Sequence, residues 1–156
     1  VAWEIERRFL VRGRPWEGIP GERILQAYIA ETAGRTVRVR RRGPGATLTV
    51  KGPTTGATRA EFEIPIAPEL ADEMISVLAP PGRITKTRYE LEIGPHTWEI
   101  DVYDGLNEGL VVAEVELSSE SEHVDLPDWV TTEVTHDGRY TNAALADKPW
   151  CQWERS

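Results

Sequence analysis

The chain has 156 residues, 40% of them hydrophobic and 28% charged, a composition suited to one globular domain with a sizeable core. Its net charge of -8 argues against a nucleic-acid partner or an anionic membrane surface, yet 18 Lys and Arg remain available to line one pocket. Cys151 is the only cysteine and no apolar run is long enough to span a membrane, so a disulfide framework and a membrane span are excluded and a cytoplasmic setting is expected.

The chain opens on Val1-Ala2-Trp3-Glu4, with no apolar segment of the signal-peptide type. Strand-like alternation follows, at about 3–11, 23–31, 35–42, 46–52 and 58–67. The stretch from Pro68 to Leu78 carries Leu70, Met74, Val77 and Leu78 at helical spacing, and Pro80-Pro81-Gly82 is expected to stop it. Strands resume at about 83–93, 96–103 and 110–118. A helical turn is expected at 118–123 and a second helix from Arg139 to Ala146. Gly43-Pro44-Gly45, Gly52-Pro53 and Gly94-Pro95 mark short connections, which favour antiparallel neighbours. Eight such strands predict a mainly β (α+β) fold, an antiparallel barrel whose closure removes unpaired edges.

The strands share one peculiarity. Charged residues come in pairs two apart: Glu4 and Glu6, Arg38 and Arg40, Glu61 and Glu63, Lys86 and Arg88, Glu99 and Asp101, Glu114 and Glu116. Side chains two apart share a strand face, and the intervening residues are mostly apolar. A single such pair is ordinarily a solvated outer face. Here the signs segregate by strand, whereas a solvated sheet face mixes them so that neighbours offset each other. Parity therefore also permits the reverse of an ordinary barrel, with charge in the lumen and apolar side chains outside under the helices. Such a lumen needs counter-ions, because two unit charges 4 Å apart interact by about 4 kcal/mol at an effective dielectric of 20. Carboxylates without a His/Cys cluster favour Mg²⁺ or Mn²⁺, and Arg and Lys favour phosphate. A metal-bound oligophosphate satisfies both. His96, His123 and His136 lack zinc-ligand spacing and are expected at the surface or in turns, and Trp3, Trp98 and Trp129 are expected to pack.

The segment Glu4-Ile5-Glu6-Arg7-Arg8 resembles the Glu-x-Glu-x-Lys motif that opens the CYTH proteins, the triphosphate tunnel metalloenzymes. The likeness continues in order through Thr36-Val37-Arg38-Val39-Arg40, Leu48-Thr49-Val50-Lys51, Glu61-Phe62-Glu63, Lys86-Thr87-Arg88, Glu99-Ile100-Asp101 and Glu114-Val115-Glu116. It implies an eight-stranded tunnel that binds a small-molecule triphosphate with one or two Mg²⁺ or Mn²⁺ ions. By the same likeness Glu4, Glu6, Asp101, Glu114 and Glu116 are the leading metal ligands, with Glu61, Glu63 and Glu99 as further candidates. Arg8, Arg38, Arg40, Lys51, Arg59, Lys86 and Arg88 would hold phosphates, and Glu4 or Glu6 would take the proton of an attacking water. Arg8 stands where the motif has Lys, and Thr141 where relatives often have Lys. The compact length fits hydrolysis of inorganic tripolyphosphate, with nucleoside triphosphates as poorer substrates. A class IV-type adenylate cyclase and a non-catalytic polyphosphate-binding module are the alternatives.

Overall fold

In the computed structural model, which describes residues 1–78 and 82–154, nine strands form one antiparallel sheet. They are β1 (Ala2–Val11), β2 (Glu22–Thr32), β3 (Arg35–Arg42), β4 (Gly45–Lys51), β5 (Thr58–Pro65), β6 (Arg83–Ile93), β7 (His96–Tyr103), β8 (Val111–Glu116) and β9 (Val130–Glu133). The sheet runs β5-β4-β3-β2-β6-β7-β8-β1-β9, and a further β5–β1 pairing closes eight of the strands into a ring. β1 closes it by dividing its length. Its first residues pair with β5 (Glu4 opposite Arg59) and Glu6 to Leu10 pair with β8 (Glu6 opposite Glu116). The predicted eight strands and their closure are thus observed.

The ninth strand is absent from the sequence-based expectation. It takes the edge of β1 that β5 has left: the Val134 amide donates to the Arg8 carbonyl at 2.8 Å, and Phe9 pairs with Glu133. Four residues are too few to show a period, which is why the sequence hides it.

Outside the ring, the apolar parity forms two cores. Phe9, Trp98, Ile100, Ala113, Val115 and Leu117 pack against Trp16, Val124 and Trp129 from the connecting segments. Trp98 is fully buried, 5.6 Å from the Phe9 ring and edge-on to Trp129 at 5.4 Å. Helix α1 (Pro68–Val77) lays Ala71 and Ile75 on Ala27, Val39 and Ala46 of β2 to β4. Pro68 suits its first turn, where an amide hydrogen would have no helical partner. The expected stop at Pro80-Pro81 lies outside the described residues. The cover is incomplete, contrary to expectation: Trp3, Phe62 and Ile64 are exposed on β1 and β5, because α1 packs on β2 to β4.

The second predicted helix is broken in two. A 3-10 turn (Gly138–Tyr140) precedes α2 (Asn142–Asp147), and Thr141 separates them in extended conformation. The Thr141 hydroxyl accepts from the Ala144 amide at 3.2 Å, so it caps α2 rather than continuing a helix. Residues 118–123 form bends and a turn, not the expected helical turn. His96 is a further correction. It starts β7, is buried, and pairs with Glu122, which also accepts from the Ser118 amide. The tail Trp150–Gln152 forms a 3-10 turn against the body. Gly109 (φ +97°) admits it, since a Cβ there would stand 2.7 Å from the Trp150 ring. No helix among the described residues is long and apolar enough to cross a membrane.

Trp98 anchors the larger outer core, so Trp98→Ala is expected to lower stability by about 3–5 kcal/mol. Denaturant unfolding checks this, with a lowered midpoint and an unchanged slope as the expected result.

Candidate active site in the strand ring

The inner parity carries the charge. Glu6 faces Glu116, Arg8 faces Glu114 and Glu99 faces Glu114 across the β1–β8 and β7–β8 ladders. Arg88 faces Asp101, Lys51 faces Glu61 and Gln26 faces Arg40 across β6–β7, β4–β5 and β2–β3. All fifteen candidate side chains of the sequence therefore lie on this set of strand faces, although they do not share one environment.

Asp101 sits at the best-neutralised point. It is fully buried and accepts from Arg88 Nε at 2.7 Å, from Arg88 Nη2 at 2.9 Å and from Lys86 Nζ at 2.7 Å. Burial pushes its carboxyl up, but the two cations pull it well below the usual carboxylate range. Asp101 is thus occupied by the protein's own cations, an arrangement that orients Arg88 and Lys86. Removing one partner of such a buried cluster leaves an uncompensated charge and typically costs about 3–5 kcal/mol. Glu99 accepts from Arg88 Nη1 at 3.1 Å. Lys86 also donates to Asn142 Oδ1 at 3.2 Å, and the Tyr103 hydroxyl donates to the same oxygen at 2.7 Å. This seats α2 over one end of the ring, where Ile84, Tyr103, Val112 and Leu145 form an apolar layer.

On the opposite wall, both oxygens of Glu4 accept from Lys51 Nζ at 3.0 Å, and Glu61 lies 3.4 Å from the same ammonium. Burial raises the Glu4 pKa, but the Glu61 hydrogen bond and the Lys51 charge outweigh it and bring it down to about 2. Glu61 answers in the other direction. Its hydrogen bond to Glu4, then burial and the Glu4 charge, raise it to about 7. The two carboxyls titrate as a coupled pair. Glu63 is more exposed and reaches Thr49 at 3.3 Å. Arg59 lines the cavity but donates to the Gly52 and Gly34 carbonyls, which ties it to the loops at the mouth.

Two groups remain short of partners. On the acidic side, burial and the neighbouring Glu114 and Glu4 charges raise Glu6 well above its ordinary value, and burial and Glu4 raise Glu116. On the basic side, burial, then Arg38 and Arg88, lower Arg40 to about 10. Burial, opposed by Asp101 but supported by Arg88 and Arg40, lowers Lys86 to about 7. Two guanidinium nitrogens, Arg8 Nη1 and Arg38 Nε, are buried without a hydrogen-bond partner among the described residues. Buried donors of this kind are rare, and they mark a place for an acceptor. Glu6, Arg8, Arg38, Lys51 and Glu114 line a cavity of about 1020 Å³, together with Glu31, Gly34, Pro53 and residues of α2.

No group of three His, Cys, Asp or Glu among the described residues forms a ready-made metal cage. The donor set nevertheless fits a hard divalent cation: the available atoms are carboxylate oxygens, and burial and the Glu114 and Glu4 charges raise Glu6, while Arg88, Arg8 and Lys86 outweigh burial and lower Glu114. Sequence reasoning missed Arg42, Glu22, Glu90, Thr49 and Asn142. Arg42 and Glu90 continue the two-residue period of Arg38-Arg40 and Lys86-Arg88, so that period was the available signal.

The model for the CYTH domain matches residues 2–143. A protein named inorganic triphosphatase from Acetivibrio thermocellus is 40% identical over 148 residues, covering 94% of this chain and 95% of its own. A second, from Nitrosomonas europaea, is 35% identical over 147 residues, covering 92% and 96%. A crystal structure of an inorganic triphosphatase aligns with a TM-score of 0.67 at 33% identity, over 94% of this chain and 95% of that one.

The Glu4–Glu61 pair predicts how stability of the chelator-treated protein depends on pH. Glu61 is raised above 4.5 by folding, so its contribution is complete below 4.5 and is lost as pH climbs through about 7. Glu4 is depressed, so its contribution holds above 4.5 and is lost as pH falls toward about 2. Thermal melts in EDTA should show Tm falling between pH 4.5 and 7. Glu61→Gln should make that limb shallower and leave the acid limb in place.

Proposed function

The chain belongs to the CYTH domain family, and from that premise we propose that it hydrolyses the terminal phosphoryl group of a triphosphate, with inorganic tripolyphosphate as the preferred substrate and nucleoside triphosphates as poorer ones. One observation carries the reading beyond family likeness. The lumen holds two buried arginine nitrogens without acceptors, Arg8 Nη1 and Arg38 Nε, beside Glu6, which Arg8 Nε approaches only to 3.6 Å and whose carboxyl burial and the Glu114 and Glu4 charges raise. A bare polyanion would complete only the first set, and a bare metal only the second. A metal-bound oligophosphate completes both.

Arg8 and Arg38 turn their unpartnered nitrogens toward phosphate oxygens, and Arg40 and Lys86 add positive charge behind them. Asp101 fixes Arg88 and Lys86 in place, so the basic wall needs no rearrangement as charge develops on the transferring group. Glu6, Glu114 and Glu116 would hold a divalent cation, Mg²⁺ or Mn²⁺, with Glu4 at their side. When bound, the cation lowers the pKa of a coordinated water and offsets phosphate charge. Glu4 or Glu6 would accept the proton of the attacking water. Positioning and charge suffice, because phosphoryl transfer asks for little covalent chemistry from the protein.

The test is phosphate release from tripolyphosphate, ATP and thiamine triphosphate, with and without Mg²⁺ or Mn²⁺. Tripolyphosphate should be turned over fastest and only with metal. Pyrophosphate plus a cyclic nucleotide from ATP would instead identify a cyclase. Arg8→Ala and Arg38→Ala should each lower kcat/KM about tenfold to a hundredfold, the loss of one charge-assisted hydrogen bond worth about 1.5–3 kcal/mol. Glu6→Gln should reduce kcat with tripolyphosphate affinity retained, and full activity in that variant would reassign the base.

A further inference from the structure

Asn142 is the first residue of α2, and two neighbours fix the direction of its side-chain amide. Its Oδ1 accepts from Lys86 Nζ at 3.2 Å and from the Tyr103 hydroxyl at 2.7 Å. A lysine ammonium only donates, so the amide cannot be flipped to place its nitrogen there. Nδ2 therefore faces away from both. Among the described residues it has no acceptor, yet it is not one of the buried polar atoms left without a partner, so it meets solvent. Asn142 lines the same cavity as Arg8 and Arg38, whose Nη1 and Nε also have no acceptor. The element that carries the amide is anchored. The Thr141 hydroxyl caps α2 at 3.2 Å, and Leu145 is fully buried with Ile84, Tyr103 and Val112. Lys86 is held in turn by Asp101 at 2.7 Å.

We infer that Asn142 is a substrate-binding residue of the lumen, donating from Nδ2 to an oxygen of the phosphate chain, with Lys86 and Tyr103 setting the orientation of its amide. The inference rests on the proposed function for the identity of its ligand. Arg8 and Arg38 hold that ligand by charge as well as by hydrogen bonds. A neutral amide adds direction without adding a cation to a lumen where the charges of Arg38, Arg40 and Arg88 already oppose one another. Its donors are aimed before the ligand arrives, so little ordering cost falls on binding.

Asn142→Asp separates binding from the seating of α2. The carboxylate keeps an oxygen for Lys86 and Tyr103, and replaces the N–H donors with an anionic oxygen. Tripolyphosphate is titrated calorimetrically into wild type and variant, in EDTA and again with Mg²⁺. The variant should melt at or above the wild-type temperature, because its carboxylate pairs with Lys86, and should bind tripolyphosphate about tenfold or more weakly. A variant that binds as tightly as the wild type overturns the inference and leaves the proposed function intact. A wild type that binds tripolyphosphate under neither condition overturns both. A second measurement uses the wild type and stands even where the variant folds poorly. Asparagine occurs at positions 107 and 142 alone, so labelling asparagine with the magnetic nitrogen isotope gives two side-chain amide signals. Asn107 is buried, its Oδ1 accepts from the Trp150 amide, and it does not line the cavity, so it serves as the control. Saturating tripolyphosphate should move one Asn142 amide proton downfield and leave the Asn107 pair in place. Two unmoved pairs in a protein that binds tripolyphosphate would overturn the inference.

Discussion

A closed ring that turns its charged faces inward must neutralise them, and the rest of this structure follows from how far it does so. The ring turns eight carboxylates and seven cations onto its inner strand faces. Where the protein supplies the counter-charge, the side chains become scaffold. Asp101 is the clearest case: Arg88 and Lys86 donate three hydrogen bonds to it within 2.9 Å, and all three residues are buried. Where the protein withholds counter-charge, the side chains become a site. Glu6 and Arg8 on β1, Glu116 on β8, and Arg38 and Arg40 on β3 are left with raised or lowered pKa values or with unpartnered donors. An isolated buried charge is costly, so an arrangement that leaves two opposite sets unfinished is stable only with solvent or ligand between them.

Closure also decides the outside of the molecule. With the lumen committed to charge, the apolar parity must be covered from without, and most covering pieces are irregular. Trp16 and Trp129 come from connecting segments, and α1 covers only β2 to β4. The exposed Phe62 and Ile64 on β5 are where that cover runs out. The same economy explains β9, a short strand that fills the edge β1 offers once β5 has diverged. At the α2 end the inner face changes character. Ile84, Tyr103 and Val112 give an apolar layer there, and Asn142 joins that layer to the buried lysine through two hydrogen bonds.

The two ends of the lumen are therefore chemically unlike. One is roofed by a short helix over apolar side chains, next to the cavity that Glu31, Gly34 and Pro53 help to line. At the other, Arg42 on β3 pairs with Glu22 and Glu90 on the adjoining strands β2 and β6.

The two-residue period of Glu4-Glu6, Arg38-Arg40 and Lys86-Arg88 was legible in the sequence, because alternation is a local property of the strand backbone. It established eight strands, the grouping of charge on one set of faces, and the likeness to the CYTH family that the whole-chain match bears out. The sequence alone left open which set of faces lines the interior, since the same alternation serves an outer charged face equally well. It also did not separate Asp101, whose oxygens are taken by Arg88 and Lys86, from Glu6, which Arg8 approaches only to 3.6 Å. Both are carboxylates one residue removed from an apolar neighbour, and their difference arises from the stagger between strands far apart in the chain. The break at Thr141, the exposure of Trp3 and the reach of Arg42 to Glu22 and Glu90 have the same origin. Residue type and spacing determined the inventory of charge; ring closure and register decided which charges meet, because only they bring distant strands within the few ångströms over which ions pair.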